Sequence, residues 1–584
     1  MLPAATTPNQ SLLEIEFGLA GIAIAASFAW PRLGDGFFAR VEKGFARLAR
    51  RKRMAAASVG LSVLLLRLAM LPIYPVPLPF CTDDFSFLLA ADTFAHGRLT
   101  NPTPAMWTHF ETIHVTMRPT YQSMYFPGEG LILAAGTVIF GNPWVGQLLV
   151  SALMCAVLCW ALQAWLPANW ALLGGMIAVL RLGVFSYWTN TYHAGGSLGA
   201  LGGALMLGGL PRLMRTGRMR HALLMGTGLV ILALTRPYEG LLLCLPVAVV
   251  LGRWMWKGKN RPGPRTLARL IATPLVMGMA AVAWMGYYDY RAFGNPLTPP
   301  YKVDRDTYAI APYYVWQKPR PEPAYRYAEL RRFYQKDELS FFNQIHSIRG
   351  FVPRTLEKVG FTFLFYSSFL LLVPMLMVRR VFLDRRVRFL IVCVLVLAAG
   401  LVIENFLLPH YVSPLTVAFY AIGLQGMRHL RIWKPEGKPS GLTIVRLTVT
   451  ACVLLAGLRV FARPLGIAPN KWPPSNWNFT WFGPEHFGVA RAQIEAGLEH
   501  MPGGQLVIVH YAPWHEPLDE WVYNRADIDA SKVVWARDGG PADNLELIRY
   551  YRDRKVWLVE PDTTPAEIKP YSVQEAAAGV NQGR

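Results

Sequence analysis

Long apolar stretches recur along the whole chain, and they constrain its fold more than any other feature. Each runs for roughly 15 to 22 residues, about the length that an α-helix needs to cross a bilayer, and short basic loops separate them. Hydrophobic residues make up 53% of the chain and charged residues only 16%, whereas about a quarter is typical of soluble domains. The pattern predicts an α-helical polytopic membrane protein with roughly eleven to thirteen transmembrane helices.

The formal net charge of +21 would also suit a nucleic-acid-binding protein. The basic residues, however, are grouped between apolar stretches, as in 39–53 ("ARVEKGFARLARRKR") and 379–388. This grouping is typical of cytoplasmic loops under the positive-inside rule. We therefore expect a lipid bilayer as partner and no nucleic acid. The next apolar stretch, 54–75, then leads outward and brings Asp83 and Asp84 to the extracytoplasmic side.

Three regions are predicted. Residues 1–53 form an N-terminal helix and a basic cytoplasmic segment, and residues 54–465 form the transmembrane domain with outer loops at 76–126 and 288–357. Residues 466–584 contain short β-branched runs, such as "QLVIVHYAP" and "KVWLVEPD", between helix-like stretches. They predict a small extracytoplasmic α/β domain.

The number of crossings between the first outer loop and the next basic loop has to be odd. Four apolar pieces lie there, at 127–140, 144–165, 168–185 and 196–210. One of them is therefore expected to be short, re-entrant or merged with its neighbour. The glycines of "GGSLGALGGALMLGGL" in the last piece predict close helix packing.

Charged and polar residues at the outer edge of the apolar stretches indicate a candidate site, because such residues are rare in membrane-embedded sequence. Paired carboxylates could accept a proton from a nucleophile, while Arg and His could stabilise a departing phosphate. The candidates are Asp83, Asp84, Asp92, His109, Glu111, His114, Arg118, Glu129, His193, Arg236, Glu239, His410 and Tyr411.

Structural roles are open for the same residues. Asp83 and Asp84 could cap the helix that follows them, or bind a cation. The histidines could be packing or surface residues, and Arg236 could extend to the membrane interface from an apolar helix end. The six cysteines have no zinc-site spacing, and two adjacent carboxylates are too few ligands to define a metal. No cofactor is therefore predicted, with a divalent metal left as an alternative.

The acidic pair followed by "AADTFAHGRLTNP" resembles the bacterial members of the GT-C glycosyltransferase superfamily, similar to protein O-mannosyltransferases and to the lipid A aminoarabinose transferase. In that group the outer loop commonly ends in Lys/Tyr-x-Pro-Pro/Gly, here "MYFPGEG" with Tyr125. A later Arg-Tyr-x-x-Pro element is here "HYVSP", with His410 in place of arginine and Tyr411 after it. The resemblance covers about residues 54–461.

This resemblance implies an inverting transfer of a hexosyl or pentosyl group from a polyprenyl-phosphate donor. The acceptor would be a protein or a glycolipid at the extracytoplasmic face of the bacterial inner membrane. Asp83 would act as general base or orient the acceptor hydroxyl, and Asp84 would fix the loop or bind a ligand. The implied phosphate and donor contacts are Arg118, Tyr125, Arg236, His410 and Tyr411, and the further candidate contacts are His109, Glu111, His193 and Glu239.

Two other classes of function fit the same polar residues. A transporter or flippase of a lipid-linked saccharide would need them too, although transporters usually carry charges near the midplane and have repeated halves. An inactive relative that serves as a scaffold is the other alternative, and the intact acidic pair argues against it.

Overall fold

The fold was taken from a computed structural model. It describes residues 11–193, 195–258, 261–467, 480–484 and 487–572. The parts of the predicted terminal regions that lie outside the described residues are 1–10, 468–479, 485–486 and 573–584.

Helices form most of the chain. In the first half they are α1 Leu12–Ala29, α2 Asp35–Arg50, α3 Lys52–Ala69, α4 Thr82–Ala95, α5 Pro127–Phe140, α6 Pro143–Leu162, α7 Ala168–Ala178, α8 Tyr187–Asn190, α9 Gly196–Thr216, α10 Met219–Thr235, α11 Pro237–Lys257 and α12 Pro264–Phe293. In the second half they are α13 Pro300–Tyr308, α14 Ala328–Arg331, α15 Leu339–Ile345, α16 Ile348–Tyr366, α17 Ser368–Leu372, α18 Val378–Leu383, α19 Arg388–Val402, α20 Thr416–Arg431, α21 Ser440–Val460, α22 Val489–His500 and α23 Pro541–Tyr550.

Short 3₁₀ or π segments interrupt or extend these helices. The 3₁₀ segments are Trp107–Phe110, Val373–Met377, Pro409–Leu415 and Pro435–Gly437, and the π segments are Val179–Phe185 and Arg332–Glu338. The first π segment continues α7, so that the two together form one apolar run.

Six helices in the described part of the chain are long and apolar enough to cross a membrane: Leu12–Ala29, Pro143–Leu162, Ala168–Phe185, Pro237–Lys257, Pro264–Phe293 and Ser440–Val460. A seventh candidate is α16 with the following segment to Leu383, bent by 99° at the break. The predicted helical membrane fold is confirmed. The number of full-length spans is below the predicted range because several apolar helices, among them α5, α10 and α19, have only 10–17 residues.

Glycines let α9 pack closely against its neighbours, as the sequence predicts. A Cβ atom on Gly203 would lie 1.9 Å from the carbonyl oxygen of Pro414, and one on Gly199 would lie 2.4 Å from Oγ of Ser413. Both contacts are with the 3₁₀ segment that contains His410 and Tyr411. The glycines of α9 therefore allow this 3₁₀ segment to lie directly against the helix.

Two small sheets lie outside the long helices. The first, in the predicted outer loop at 76–126, has strands β1 Asn101–Pro102, β2 Val115–Thr116 and β3 Thr120–Ser123 in the order β1-β3-β2. The second has β4 Gly504–Val509, β5 Val533–Arg537, β6 Arg554–Glu560 and β7 Glu567–Pro570. In this sheet β4 lies between β5 and β6 and is parallel to both, while β7 is antiparallel to β6. The predicted C-terminal α/β fold is confirmed.

This C-terminal sheet domain packs directly against α4. Phe85 stacks on Tyr523 with ring centroids 4.6 Å apart, and the guanidinium of Arg491 lies 4.9 Å from the centre of the Phe85 ring. The backbone N–H of Ala526 donates a hydrogen bond to the carboxylate of Asp92 over 2.7 Å. The helix that begins with the acidic pair is therefore held along its length by the C-terminal domain.

Candidate active site

The acidic pair occupies the first turn of α4. Cys81 is the N-cap residue with an extended backbone, and within the described residues no side chain caps this helix end. The capping role considered for Asp83 and Asp84 is therefore not what the structure has. Carboxylates in a first helical turn are still stabilised by the helix dipole.

Asp83 lies at the centre of a cluster of hydrogen-bonding side chains. Nδ1 of His114 is 3.1 Å from one carboxylate oxygen, and Nδ1 of His193 is 3.2 Å from the other. The hydroxyl of Tyr125 donates to the same oxygen that His114 contacts. Burial by itself would raise the pKa of Asp83, but the charges of His193 and His114 outweigh it and hold that pKa well below its ordinary value. The carboxylate is therefore ionised and available as an acceptor.

His114 is held in a strained backbone conformation, with φ at +66°. Its Nδ1 is 3.2 Å from the hydroxyl of Thr82 and 3.2 Å from that of Tyr125, and its carbonyl accepts a hydrogen bond from Ser86. Burial works against the charged imidazole, but Asp83 outweighs it and raises the pKa of His114 above its ordinary value. A positive φ in a non-glycine residue is costly and is most often found at functional sites.

Asp84 has a different environment from its neighbour. Its side chain is fully buried, and its carboxylate accepts the backbone N–H groups of Phe80 at 3.4 Å and Tyr192 at 2.9 Å. Burial raises the pKa of Asp84 to about 6, against the opposing charge of His193. Asp84 thus connects the start of α4 to the segment that contains His193, while Asp83 faces the cluster.

Arg236 provides positive charge on the other side of the site. Its guanidinium lies 4.4 Å from the centre of the Tyr411 ring and 3.5 Å from the carboxylate of Glu239. Burial opposes the charge, but Glu239 and nearby tyrosines hold the pKa of Arg236 above its ordinary value. The side chain is therefore a permanent cation.

His410 connects the two sides. Its ring centre is 5.3 Å from that of His193 and 4.8 Å from that of Tyr411, and its Nδ1 is 2.9 Å from the Tyr187 hydroxyl. Burial, together with the charges of Arg236 and His193, lowers the pKa of His410 well below its ordinary value. His410 is therefore neutral here and offers a hydrogen bond, not a charge, to a ligand.

The structure brings together most of the predicted site residues. Those in the connected set around Asp83 and Arg236 are Asp83, Asp84, His114, Tyr125, His193, Arg236, Glu239, His410 and Tyr411.

Four predicted residues lie elsewhere, and one of them is Asp92, whose carboxylate accepts the N–H of Ala526. Arg118 is exposed, with its guanidinium 5.2 Å from the centre of the Trp107 ring. His109 contacts the carbonyl of Arg537 over 3.1 Å, and Glu111 accepts a hydrogen bond from Tyr308 over 3.1 Å. His109 and Glu111 thus connect the predicted outer loop at 76–126 to its neighbours, whereas Arg118 contacts a residue of its own loop. In the described part of the chain, no hydrogen bond or ion pair joins these three side chains to the Asp83 cluster.

Sequence reasoning missed Thr82, Cys81 and Tyr301 at this site. Thr82 and Cys81 flank the acidic pair, so their position beside it was the only available signal. Tyr301, whose ring centre is 5.5 Å from that of Tyr125, comes from the second outer loop and has no distinguishing pattern in the sequence.

Three side chains of the site could together hold a metal ion. Cys81, Asp83 and His193 offer ligand atoms that all lie within 4.8 Å of one another. Three such ligands would suit zinc, which binds the thiolate form of cysteine. Burial, with the charges of Asp84 and Asp83, raises the pKa of the Cys81 thiol well above its ordinary value. The three residues therefore fit a metal ion only once Cys81 has lost its proton, and a divalent metal stays a prediction.

Comparisons with known proteins give two kinds of match. Residues 222–469 match the TgpA N-terminal domain family. The chain is similar to the Archaeoglobus fulgidus oligosaccharyltransferase in complex with Zn and sulfate, with 10% identity, a TM-score of 0.46, and coverage of 87% of this chain and 67% of that one. It is also similar to ArnT from Cupriavidus metallidurans in the apo state, with 14% identity, a TM-score of 0.44, and coverage of 86% and 93%.

The same ArnT bound to undecaprenyl phosphate matches with a TM-score of 0.43. No curated protein sequence matches the chain. At TM-scores below 0.5 these superpositions assign no role to any residue, so the site's own geometry has to support a function.

Proposed function

We propose that this protein transfers a sugar from a polyprenyl-phosphate donor to an acceptor hydroxyl at the extracytoplasmic face of a bacterial inner membrane, with inversion at the anomeric carbon. The observation that supports it best is the connected arrangement of an ionised Asp83 and a permanently charged Arg236, with His193, His410 and Tyr411 between them. One end can take a proton, and the other can stabilise a phosphate.

The proposed reaction is a single displacement at the anomeric carbon of the donor sugar. The acceptor oxygen attacks the anomeric carbon, and its proton passes to the carboxylate of Asp83. The bond from that carbon to the phosphate oxygen breaks, and the polyprenyl phosphate leaves with the bonding electrons. Arg236 stabilises the leaving charge, and neutral His410 donates a hydrogen bond to it.

Supporting residues position these groups. Tyr125 orients the carboxylate of Asp83 through its hydroxyl, and Asp84 fixes the His193 segment through the backbone N–H of Tyr192. Glu239 orients Arg236 over a distance of 3.5 Å. Each of these contacts limits the freedom of a reacting group before substrate arrives.

The test uses the full-length protein in membranes with radiolabelled undecaprenyl-phosphate sugars and a membrane extract as the source of acceptors. Asp83→Asn should reduce transfer roughly 100- to 10,000-fold, because it removes the proton acceptor. Asp92→Asn is the matched control: it makes the same change on the same helix, and the amide oxygen can still accept the N–H of Ala526.

Transfer by Asp83→Asn at the rate of the unmodified protein would overturn the proposal. So would an unmodified protein that transfers no label but moves labelled lipid across vesicles, which is the behaviour of the transporter alternative.

A further inference from the structure

Glu129 is a buried acid that the proposed step does not use. It lies in the first turn of α5, only 2% of its surface is exposed, and neither carboxylate oxygen has a hydrogen-bond partner among the described residues. Burial raises the pKa of Glu129 to about 8, against the charge of Arg236. In either protonation state the carboxyl group keeps acceptor capacity, and leaving a buried polar group unsatisfied is costly. A bound ligand could therefore supply the hydrogen-bond donor that Glu129 lacks.

Glu129 lines a small cavity that adjoins the Asp83 cluster. Tyr125 is shared by both, and Arg236 and Tyr301 are also part of the cavity wall. The cavity volume is about 10 Å³, which is roughly the room for one water-sized group. It cannot enclose a sugar ring, but it can take one substituent of a ring that lies beside Asp83.

Thr235, another polar residue of the wall, does not donate to Glu129. The hydroxyl of Thr235 donates to the carbonyl of Ile231 over 2.6 Å. Gly195, with φ at +55°, approaches Glu129 so closely that a Cβ there would lie 3.0 Å from a carboxylate oxygen. Glycine at this position leaves the carboxylate facing the cavity.

We infer that Glu129 is a specificity-determining residue, which accepts a hydrogen bond from one hydroxyl substituent of the transferred sugar. This inference rests on the proposed function and names a contact for its donor. A hydroxyl fits the volume and supplies the donor. An ammonium group would also supply donors, but the charge of Arg236 in the same wall would repel it.

The experiment compares polyprenyl-phosphate donors that carry a complete hexose with a series of monodeoxy analogues, each lacking one hydroxyl. For the unmodified protein at neutral pH, one analogue of the series should have a kcat/KM lower by roughly 2- to 10-fold, the value of one hydrogen bond to an uncharged acceptor. The ratio of kcat/KM for the complete sugar to kcat/KM for that analogue should fall close to one in Glu129→Ala, because only transfer of the complete sugar is slowed.

Glu129→Gln keeps one acceptor oxygen and should give an intermediate ratio. Thr137→Val is the matched control on the same helix: its hydroxyl bonds to the carbonyl of Leu133 over 3.0 Å, away from the cavity. It should keep the ratio of the unmodified protein. Thermal unfolding of each variant separates loss of contact from loss of fold.

Equal losses for every donor in Glu129→Ala would mean that Glu129 only supports the fold, and the inference would be wrong. Equal use of all monodeoxy analogues by the unmodified protein, or preference for an amino sugar, would also overturn it. In each of these results transfer itself persists, so the proposed function survives. Absence of transfer from every donor would instead remove the proposed function, and this inference with it.

Discussion

Two adjacent acids in this chain have opposite environments. Asp83 contacts imidazoles and is held ionised, whereas Asp84 accepts backbone N–H groups and has a raised pKa. Environments that separate the pKa values of neighbouring carboxyls are a common way to divide roles between them. We expect Asp83 to meet the substrate and Asp84 to fix the surrounding backbone.

Tyr125→Phe tests the orientation of Asp83. The variant loses the hydroxyl that donates to the carboxylate but keeps the ring stacked on Phe87, whose centre is 4.3 Å away. Initial rates with saturating donor should fall roughly 10- to 100-fold, because a hydrogen bond to a charged group is lost.

Tyr327→Phe is the control for this change. It removes a hydroxyl that donates to the carbonyl of Thr108 over 2.9 Å, away from Asp83. Similar rates in the two variants would show that the hydroxyl of Tyr125 does not orient the carboxylate.

The sequence identifies the acidic pair and, among its candidates, Tyr125, His114 and His193, but not which candidates contact one another. The position of Asp83 and Asp84 after an outward apolar stretch is a local pattern, and a local pattern can be found in one sequence. His114 and His193 reach Asp83 from other segments through a strained turn and a backbone tie to Asp84. No spacing rule connects residues that only the tertiary fold brings together.

At the scale of elements, hydrophobic periodicity predicts most of what the structure has. The strands of the C-terminal sheet and the helix between them coincide with the expected runs. One of the four apolar pieces between residues 127 and 210 is expected to be short, re-entrant or merged with its neighbour, and α5, with 14 residues, is a short one. The piece at 168–185 is long enough to span, and its second half is the π segment Val179–Phe185. A π segment has no composition of its own, so the sequence could not predict it.

Gly203→Ala tests the packing of α9 against the segment of His410. The new methyl group would overlap the carbonyl of Pro414 and push that segment outward. Overpacking of this kind costs about 1–3 kcal/mol, so the unfolding temperature in detergent should fall by several degrees and transfer should weaken.

Gly423→Ala is the matched change on α20, where a Cβ meets nothing within 4 Å. It should leave stability unchanged or raise it slightly, since alanine is the better helix former. Equal behaviour of the two variants would contradict the packing role of Gly203.

At the scale of the whole molecule, the C-terminal domain is joined to the outer loop by buried charges. Arg537 pairs with Glu520, and both side chains are almost completely buried. The Nε of Arg537 donates to the carbonyl of Glu111, and the hydroxyl of Thr112 donates to Glu520. The sequence predicts a separate domain here but not this contact, because Glu111 and Thr112 lie 426 and 408 positions from the residues that they contact.

Arg537→Met should destabilise the full-length protein by about 3–5 kcal/mol, because it leaves Glu520 charged, buried and without its main partner. Arg537→Met combined with Glu520→Met should recover much of that loss, since a buried ion pair can be replaced by apolar groups. Thermal unfolding and transfer rates of both variants provide the measurement. A double variant no more stable than the single one would mean that an unpaired Glu520 is not the cause of the loss.

The start of α4 is covered by the C-terminal domain: Cys81 pairs with Asp519 in an isolated bridge, and the N–H of Thr82 donates to the carbonyl of Leu518 over 3.3 Å. Because the C-terminal domain contacts the residue next to Asp83, we expect a lipid-anchored donor to reach Asp83 from the side, within the plane of the bilayer. In kinetic terms, the proposed reaction then takes place in two dimensions. Its rate would depend on the surface density of the donor in the bilayer. Added lipid would dilute the donor and lower the rate, whereas added water would not.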